Sequence, residues 1–148
     1  RICICCNNVK PGVFLPSVWQ EERDVKLADV IRLLEAEVLV APQDASLPVR
    51  AAGAADLISD VLAFVKERTL LLTGLTNPQV VTAADLIDLT GIVFVRGKTP
   101  GREVVEMARR RQLPVFRTQL NMYEACGILY QAGLKGCWAD QDDDNDLR

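Results

Sequence analysis

The fold is decided by residues 70–116, which run LLLTGLTNPQVVTAADLIDLTGIVFVRGKTPGREVVEMARRRQLPVF. Three apolar centres stand in this stretch at intervals of 22 residues: Leu71-Leu72, Val93-Phe94 and Val115-Phe116. Each centre belongs to a continuous apolar run, which is typical of a parallel strand buried on both faces. A strand, a turn and a helix fit within each interval, so the stretch predicts consecutive βαβ units.

The segments that follow these strands predict helices over about 78–89, 101–112 and 122–132. Asn77-Pro78 and Thr99-Pro100 each place a capping side chain before a proline at the first helical position. Asn121 with Glu124 resembles a capping box at the start of the last helix. The glycines expected to end two of these helices are Gly91 and Gly133.

Further elements are predicted before this stretch, in chain order: a helix over 27–34 capped by Asp24, a strand over 37–40, a turn over 42–48, a strand over 49–52 and a helix over 56–65. Because strands alternate with helices, we expect an α/β fold: a three-layer domain with a mostly parallel central sheet flanked by helices. The local signals for caps and turns agree with this global arrangement.

Composition divides the chain into three regions. Residues 25–137 are predicted to form the α/β domain. Residues 1–24 show no clear periodicity, and we expect an atypical leader that is non-native or disordered. Residues 138–148 hold five aspartates and one arginine, a composition that cannot bury a core, so we expect an acidic disordered tail.

Histidine is absent from the whole sequence, which removes several classes of chemistry. Ser–His and Cys–His nucleophile pairs, histidine general bases and histidine-rich metal sites are excluded. Cys3, Cys5 and Cys6 lack the two-residue spacing of usual zinc or iron–sulfur ligands. We therefore expect no catalytic residue, no metal and no cofactor. Cys126 is expected in the core, and Cys137 is expected to be an exposed thiol.

The net charge of −3 comes from the predicted tail. Residues 25–137 hold 13 basic and 12 acidic residues, whereas the last eleven residues carry a net charge of −4. A neutral body without a basic stripe argues against nucleic acid as a partner. The apolar runs are far shorter than the roughly 20 residues of a membrane span, and no segment has the pattern of a secretory signal. We expect a cytoplasmic protein that does not contact the membrane.

Polar side chains follow the predicted strands at their carboxyl ends, where open parallel sheets bind ligands. The loops concerned cover residues 53–56, 73–77, 96–99 and 118–121. They supply nine candidate ligand-binding residues: Thr73, Gly74, Thr76, Asn77, Arg96, Gly97, Lys98, Thr118 and Asn121. Backbone N–H groups at helix N-termini, together with the two basic side chains, suit an anion such as a phosphate or a carboxylate. The alternative interpretation is that these residues are ordinary helix caps, and no glycine signature of a familiar nucleotide site is present.

Two other groups of charged residues are expected to form solvated helix surface. Arg109-Arg110-Arg111 ends a predicted helix, where cations complement the helix dipole. Asp56 with Asp60, and Asp85 with Asp88, stand three or four residues apart, so each pair is expected to share one helix face.

Four stretches carry a family resemblance. Residues 26–34 look like an opening helix, and residues 52–62 (AGAADLISDVL) look like a small-residue turn followed by a helix. Residues 70–78 and 91–100 look like a pair of polar loops, and residues 113–126 like a closing strand and helix. In this order they resemble the DRTGG-domain family and, more distantly, the amino-terminal domain of HPr kinase/phosphatase.

The resemblance departs from the family pattern at the loops that give the family its name. Many members carry Gly-Asp-Arg where this chain has Gly74-Leu75-Thr76-Asn77, and Thr-Gly-Gly where it has Val95-Arg96-Gly97. The resemblance implies a homodimeric regulatory or sensing domain with no established reaction. It points to a stand-alone branch known from anaerobic bacteria, sometimes encoded beside iron-hydrogenase-type proteins. HPr kinase keeps its ATP-binding loop in a separate carboxy-terminal domain, so no kinase activity is implied.

The sequence therefore predicts a non-catalytic regulatory or sensing domain that binds a small anionic metabolite or a protein partner, as a homodimer. One alternative is a structural or accessory subunit of a redox system of the iron-hydrogenase type. The other is an enzyme that uses cysteine or aspartate chemistry.

Overall fold

The computed structural model describes residues 24–137, which form five strands and five helices. Cys3, Cys5 and Cys6 of the predicted leader, and the predicted tail over 138–148, lie outside the described residues. The elements in chain order are α1 (Leu27–Leu33), β1 (Glu37–Val40), β2 (Ala51–Ala54), α2 (Ile58–Phe64), β3 (Thr69–Thr73), α3 (Pro78–Leu86), β4 (Gly91–Phe94), α4 (Arg102–Arg110), β5 (Val115–Arg117) and α5 (Met122–Gln131).

The strands form one sheet in the order β1-β5-β4-β3-β2. β2, β3, β4 and β5 run parallel to one another, whereas β1 pairs antiparallel with β5. The three strands predicted at 22-residue intervals are β3, β4 and β5, which lie side by side; Ile92 of β4 is in register with Leu71 of β3 and Val115 of β5. The predicted mostly parallel sheet is confirmed.

Successive residues of the central strands face opposite sides of the sheet and build two separate cores. Leu71 and Ile92 pack beneath α2, α3 and α4, while Leu70 and Val93 pack on the other face beneath α1 and α5. Every residue of β3 and β4 is buried, as expected of parallel strands that are covered on both faces. Helices therefore flank the sheet on both sides, and the three-layer architecture is confirmed.

The structure corrects the predicted start of α1 and the positions of β2 and α2. The N-cap of α1 is Lys26, and Asp29 rather than Asp24 accepts the Lys26 backbone N–H at 3.0 Å. β2 lies two residues later than predicted, because its pairing with β3 sets its position. The following helix consequently begins at Ile58.

The other three helix starts agree only in part with the predicted caps. Asn77-Pro78 takes the expected N-cap and first helical positions of α3, but the Asn77 side chain accepts no capping hydrogen bond. The N-cap of α4 is Gly101, so the prediction of a cap at Thr99-Pro100 is wrong. Asn121 accepts the Glu124 N–H at 2.9 Å, and the predicted cap of α5 is confirmed.

Several helices end in a residue of left-handed conformation. Gly133 (φ 100°) fulfils this role after α5, as predicted. After α1, α3 and α4 the position is held by Glu35 (φ 47°), Asp88 (φ 52°) and Gln112 (φ 55°). In all four cases the next residue donates its N–H to a carbonyl five positions earlier, as in the Schellman motif. Gly91, predicted to end a helix, is instead the first residue of β4.

The end of the described chain runs along the outer edge of β2. The Ala52 N–H donates to the Lys135 carbonyl at 2.9 Å, and the Cys137 N–H donates to the Ala52 carbonyl at 3.1 Å. This pairing places the Cys137 side chain in the interior, where it is 3% exposed and its Sγ lies 3.9 Å from the Phe64 carbonyl oxygen. The prediction that Cys137 is an exposed thiol is therefore wrong.

Candidate functional site

The carboxyl ends of β2, β3, β4 and β5 meet at one edge of the sheet because these strands are parallel. The loops that leave this edge bring together Asp56 after β2, Thr73 and Gly74 at the end of β3, and Arg96 after β4. We name these four residues the strand-end cluster. Three of them were predicted as ligand-binding residues, and their convergence follows from the strand order.

The Asp56 carboxylate is the centre of the strand-end cluster. Its Oδ1 accepts the Gly74 backbone N–H at 2.7 Å and lies 3.4 Å from the Thr73 hydroxyl, which donates to it. The Thr73 hydroxyl oxygen in turn accepts the Leu75 N–H at 3.1 Å. These hydrogen bonds tie the segment after β2 to the turn after β3.

Arg96 completes the cluster from the neighbouring loop. Its Nη2 lies 3.7 Å from Asp56 Oδ2, and the two side chains are 49% and 55% exposed. An ion pair exposed to this degree contributes at most about 1 kcal/mol to stability. Water and solutes therefore reach both partners, and a competing anion can separate them.

The backbone of the Arg96 loop is held in a fixed conformation. Arg96 (φ 58°) and Gly97 (φ 62°) are both left-handed. Their N–H groups donate to the carbonyls of Leu120 at 2.7 Å and Thr118 at 2.8 Å. These two amides are thus engaged within the protein, and the loop offers a ligand its side chains rather than its backbone donors.

A second ion pair stands beside the cluster, at the end of β5. Arg117 donates from Nη2 to the Glu37 carboxylate and from Nη1 to the Thr99 hydroxyl. Glu37 and Arg117 are direct cross-strand partners in the β1–β5 ladder. Sequence analysis missed this pair, although a cation in the last position of a buried strand was a signal for it.

Two of the predicted ligand-binding residues serve internal hydrogen bonds. The Thr118 hydroxyl is buried; it donates to the Leu34 carbonyl at 2.7 Å and accepts the Leu120 N–H at 3.2 Å. Asn121 is the N-cap of α5. Both residues shape the loop after β5.

The remaining predicted residues lie around the cluster. Within residues 24–137, Asn77 Oδ1 is buried with no hydrogen-bond partner, and Lys98 is exposed and forms no ion pair. Gly97 lies against the Gln119 side chain, which a Cβ at this position would contact. Thr76 is half-buried in the turn that leads from β3 to α3.

Asp56 is the member of the strand-end cluster that sequence analysis did not name as a candidate, although it counted residues 53–56 among the strand-end loops. It was paired with Asp60 on one helix face, but α2 begins only at Ile58, and Asp56 lies in the preceding turn. The prediction of a shared helix face is therefore wrong. The position of Asp56 soon after a strand of the parallel sheet was the available signal.

Residues 24–137 contain two free cysteines, Cys126 and Cys137. Burial raises the pKa of the half-buried Cys126 thiol, so its reactive thiolate form is disfavoured at neutral pH. Across residues 24–137 no group of three or more cysteine, aspartate or glutamate side chains is placed to hold a metal ion. Within the same range no helix is both long and apolar enough to cross a membrane.

The sequence profile of the DRTGG domain matches residues 29–132, well over half of the chain. The chain belongs to the DRTGG domain family. The match includes all four residues of the strand-end cluster and all five strands of the sheet. No functionally curated protein matches the sequence.

A solved structure shares the fold of this DRTGG domain. The chain is similar to the crystal structure of the CBS and DRTGG domains of the regulatory region of Clostridium perfringens pyrophosphatase, complexed with its activator diadenosine tetraphosphate. The TM-score is 0.61 at 17% sequence identity, and the similarity covers 78% of this chain and 54% of that chain. The DRTGG chain thus spans about half the length of that regulatory region.

Proposed function

We propose that this DRTGG domain is a non-catalytic regulatory module that binds a small anionic ligand at the strand-end cluster. The observation that carries the proposal is the position of the Asp56 carboxylate. This carboxylate is itself an anion, held by the Gly74 N–H, the Thr73 hydroxyl and the Arg96 guanidinium. The same donors suit one end of a phosphate or carboxylate ligand.

Competition with Asp56 supplies a mechanism for signalling. An incoming anion that takes the Gly74 N–H and the Arg96 guanidinium displaces the Asp56 carboxylate. Lys98 is exposed nearby in sequence and adds a second positive charge to the loop after β4. Because Asp56 ties the segment after β2 to the turn after β3, its release frees the start of α2 to move. Ligand binding at the strand-end cluster is thereby coupled to a movement of α2.

The regulatory region of the Clostridium perfringens pyrophosphatase indicates which anions to test first. That region is complexed with a nucleotide activator. Nucleotide polyphosphates present several negatively charged oxygens, and backbone N–H groups and arginines are their usual partners. We therefore select AMP, ATP and diadenosine tetraphosphate as probes, with inorganic phosphate for comparison.

The absence of histidine and the burial that raises the pKa of the Cys126 thiol support a non-catalytic role. A nucleophile requires a base or a lowered pKa, and burial shifts this thiol in the opposite direction. The family profile and the solved neighbour give no support to the alternative of a redox subunit.

We also propose that the protein is a homodimer. Three large apolar side chains are exposed at α2: Leu57 (62%), Leu62 (45%) and Phe64 (49%). Contiguous exposed apolar patches mark protein–protein contact surfaces, and these three residues lie close together in the sequence. Light scattering on the full chain tests this proposal: a dimer is expected, and Leu62→Glu is expected to shift it toward monomer.

Isothermal titration calorimetry of the full chain tests ligand binding at the strand-end cluster. Arg96→Gln is expected to weaken binding at least tenfold. Asp56→Asn removes the competing charge and is expected to strengthen binding. Arg110→Gln, an exposed arginine at the end of α4, is the matched control and should leave the Kd within twofold. Saturable binding that neither Arg96→Gln nor Asp56→Asn alters would contradict the proposal, as would no binding at millimolar concentrations.

A further inference from the structure

A cavity of about 480 Å³ lies at the edge of the sheet opposite the strand-end cluster. Its lining includes Arg50, Arg68, Thr90 and Pro114, which directly precede β2, β3, β4 and β5. The cavity therefore lies where the parallel strands begin, not where they end. Its volume is within the range of small-molecule sites.

Three arginines from three separate segments line this cavity. Arg111, the C-cap of α4, donates to the Asp85 carboxylate of α3 and is thereby neutralised. Arg50 and Arg68 form no ion pair within the described part of the chain. The other acid of the lining is Asp88, so the cavity keeps an excess of positive charge. Guanidinium groups offer paired donors that match phosphate and carboxylate oxygens.

The backbone that carries these charges is fixed by hydrogen bonds. The Arg68 N–H donates to the Asp88 carbonyl at 2.9 Å, and the Thr90 N–H donates to the Thr69 carbonyl at 3.0 Å. Arg68, Asp88 and Gln112 all adopt left-handed conformations, with φ between 52° and 56°. The starts of three strands are thus held in a defined arrangement around the cavity before any ligand arrives.

One part of the cavity wall is apolar. Leu47 and Pro48 come from the segment between β1 and β2, and Leu89 and Leu113 precede β4 and β5. Leu47 is 47% exposed, which leaves its side chain accessible to a ligand. A wall of this kind suits an uncharged ring or chain rather than a bare ion.

We propose that this cavity is a second binding site, specific for a small organic phosphate. The phosphate lies between Arg50 and Arg68, and the uncharged part of the ligand packs against Leu47 and Pro48. The site is independent of the strand-end cluster because the two lie at opposite edges of the sheet and share no residue.

Amide chemical-shift mapping on the full chain, with AMP, ribose 5-phosphate and inorganic phosphate as probes, tests this proposal. The two organic phosphates are expected to give saturable shifts at Arg68, Thr90 and Gln112. Inorganic phosphate is expected to bind more weakly, because it cannot use the apolar wall. The double variant Arg50→Gln/Arg68→Gln is expected to raise the Kd at least tenfold.

Two control variants separate this site from the alternatives. Arg109→Gln removes an exposed arginine outside the cavity and should leave the Kd within twofold; an equal loss would indicate unspecific charge attraction and overturn the proposal. Arg96→Gln should abolish shifts at Gly74 but not at Thr90. Shifts confined to Gly74 and Arg96, or no saturable shift, would also overturn the proposal of a second site.

Circular dichroism checks that the double variant Arg50→Gln/Arg68→Gln folds. If the double variant does not fold, the single variant Arg50→Gln replaces it.

Discussion

The Gly74 backbone N–H donates to Asp56 Oδ1 at 2.7 Å, across the ends of two neighbouring parallel strands. One carboxylate thereby holds together loops that are separated by a full helix and strand in the sequence. The acceptor is charged, and hydrogen bonds to ionised groups are shorter and stronger than neutral ones. The contact therefore stabilises the fold at the same edge where we propose ligand binding.

Loss of this carboxylate is expected to destabilise the protein measurably. Asp56→Ala should lower the free energy of unfolding by about 1–2 kcal/mol, since it leaves the buried Gly74 N–H without its acceptor. Urea denaturation measures the change. Glu67→Ala is the matched control because Glu67 is an exposed acid without a side-chain hydrogen bond to any other residue between 24 and 137, and its effect should stay within about 0.5 kcal/mol. Equal effects of the two substitutions would show that the Asp56 contact is not stabilising.

The central strands were predictable because their signal is local. β3, β4 and β5 are continuous apolar runs at a regular spacing, and no partner is needed to recognise them. Their parallel arrangement followed from the helices between them. The two-faced core, with Leu70 and Leu71 on opposite sides, followed from the alternation along a strand.

Features that depend on which strands pair in the sheet could not be predicted from the local sequence. β2 has the sequence Ala51-Ala52-Gly53-Ala54, which has little intrinsic strand preference, and its position is set by hydrogen bonding to β3. With β2 placed two residues early, the following helix was predicted to begin at Asp56, and the contact of this side chain with the turn after β3 was not foreseen. The convergence of Arg50, Arg68 and Arg111 likewise depends on the order of strands in the sheet.

The left-handed residue after α1 offers a test of backbone strain. Glu35 has φ 47°, a conformation that costs a residue with a Cβ about 1–2 kcal/mol. Glu35→Gly should therefore raise the free energy of unfolding by up to about 1 kcal/mol, after the larger entropy of glycine in the unfolded chain is subtracted. Thermal and urea denaturation measure the change.

The same motif after α5 supplies the reverse substitution. Gly133 has φ 100°, so Gly133→Ala should destabilise the protein by about 1 kcal/mol, although no atom of residues 24–137 lies within 4 Å of the added Cβ. Changes of the same sign for Glu35→Gly and Gly133→Ala would refute the strain argument.

Replacing Glu37 and replacing Arg117 are expected to lower the free energy of unfolding by different amounts, although the two residues form one ion pair. Arg117 is 23% exposed and Glu37 is 56% exposed, so the arginine depends more on its partner. Glu37→Gln leaves a mostly buried guanidinium without a countercharge and should cost about 1–2 kcal/mol. Arg117→Met keeps the apolar packing of the side chain, leaves a hydrated glutamate, and should cost less than about 1 kcal/mol.

A double-mutant cycle in urea separates the two contributions to this pair. Once Arg117 is methionine, Glu37→Gln should have almost no further effect, because its cost arises from the unpaired arginine. Additive effects of the two substitutions would show that the residues act independently despite their contact.

Cys126 and Cys137 are both expected to react slowly with iodoacetamide in the folded chain, for different reasons. Burial raises the pKa of the half-buried Cys126 thiol, so its alkylation rate should stay below that of an unperturbed thiol until the pH exceeds this raised value. The stability that Cys126 contributes in its protonated form is complete below the pKa that this thiol has in the unfolded chain, and it is lost as the pH rises through the pKa of the thiol in the folded chain.

Cys137 is 3% exposed, and its protection from alkylation should disappear only when the chain unfolds. Mass-spectrometric peptide mapping over pH 7 to about 10 distinguishes the two sites from the amino-terminal cysteines. Rapid alkylation of Cys137 in the folded chain would show that residues 135–137 do not stay paired with β2.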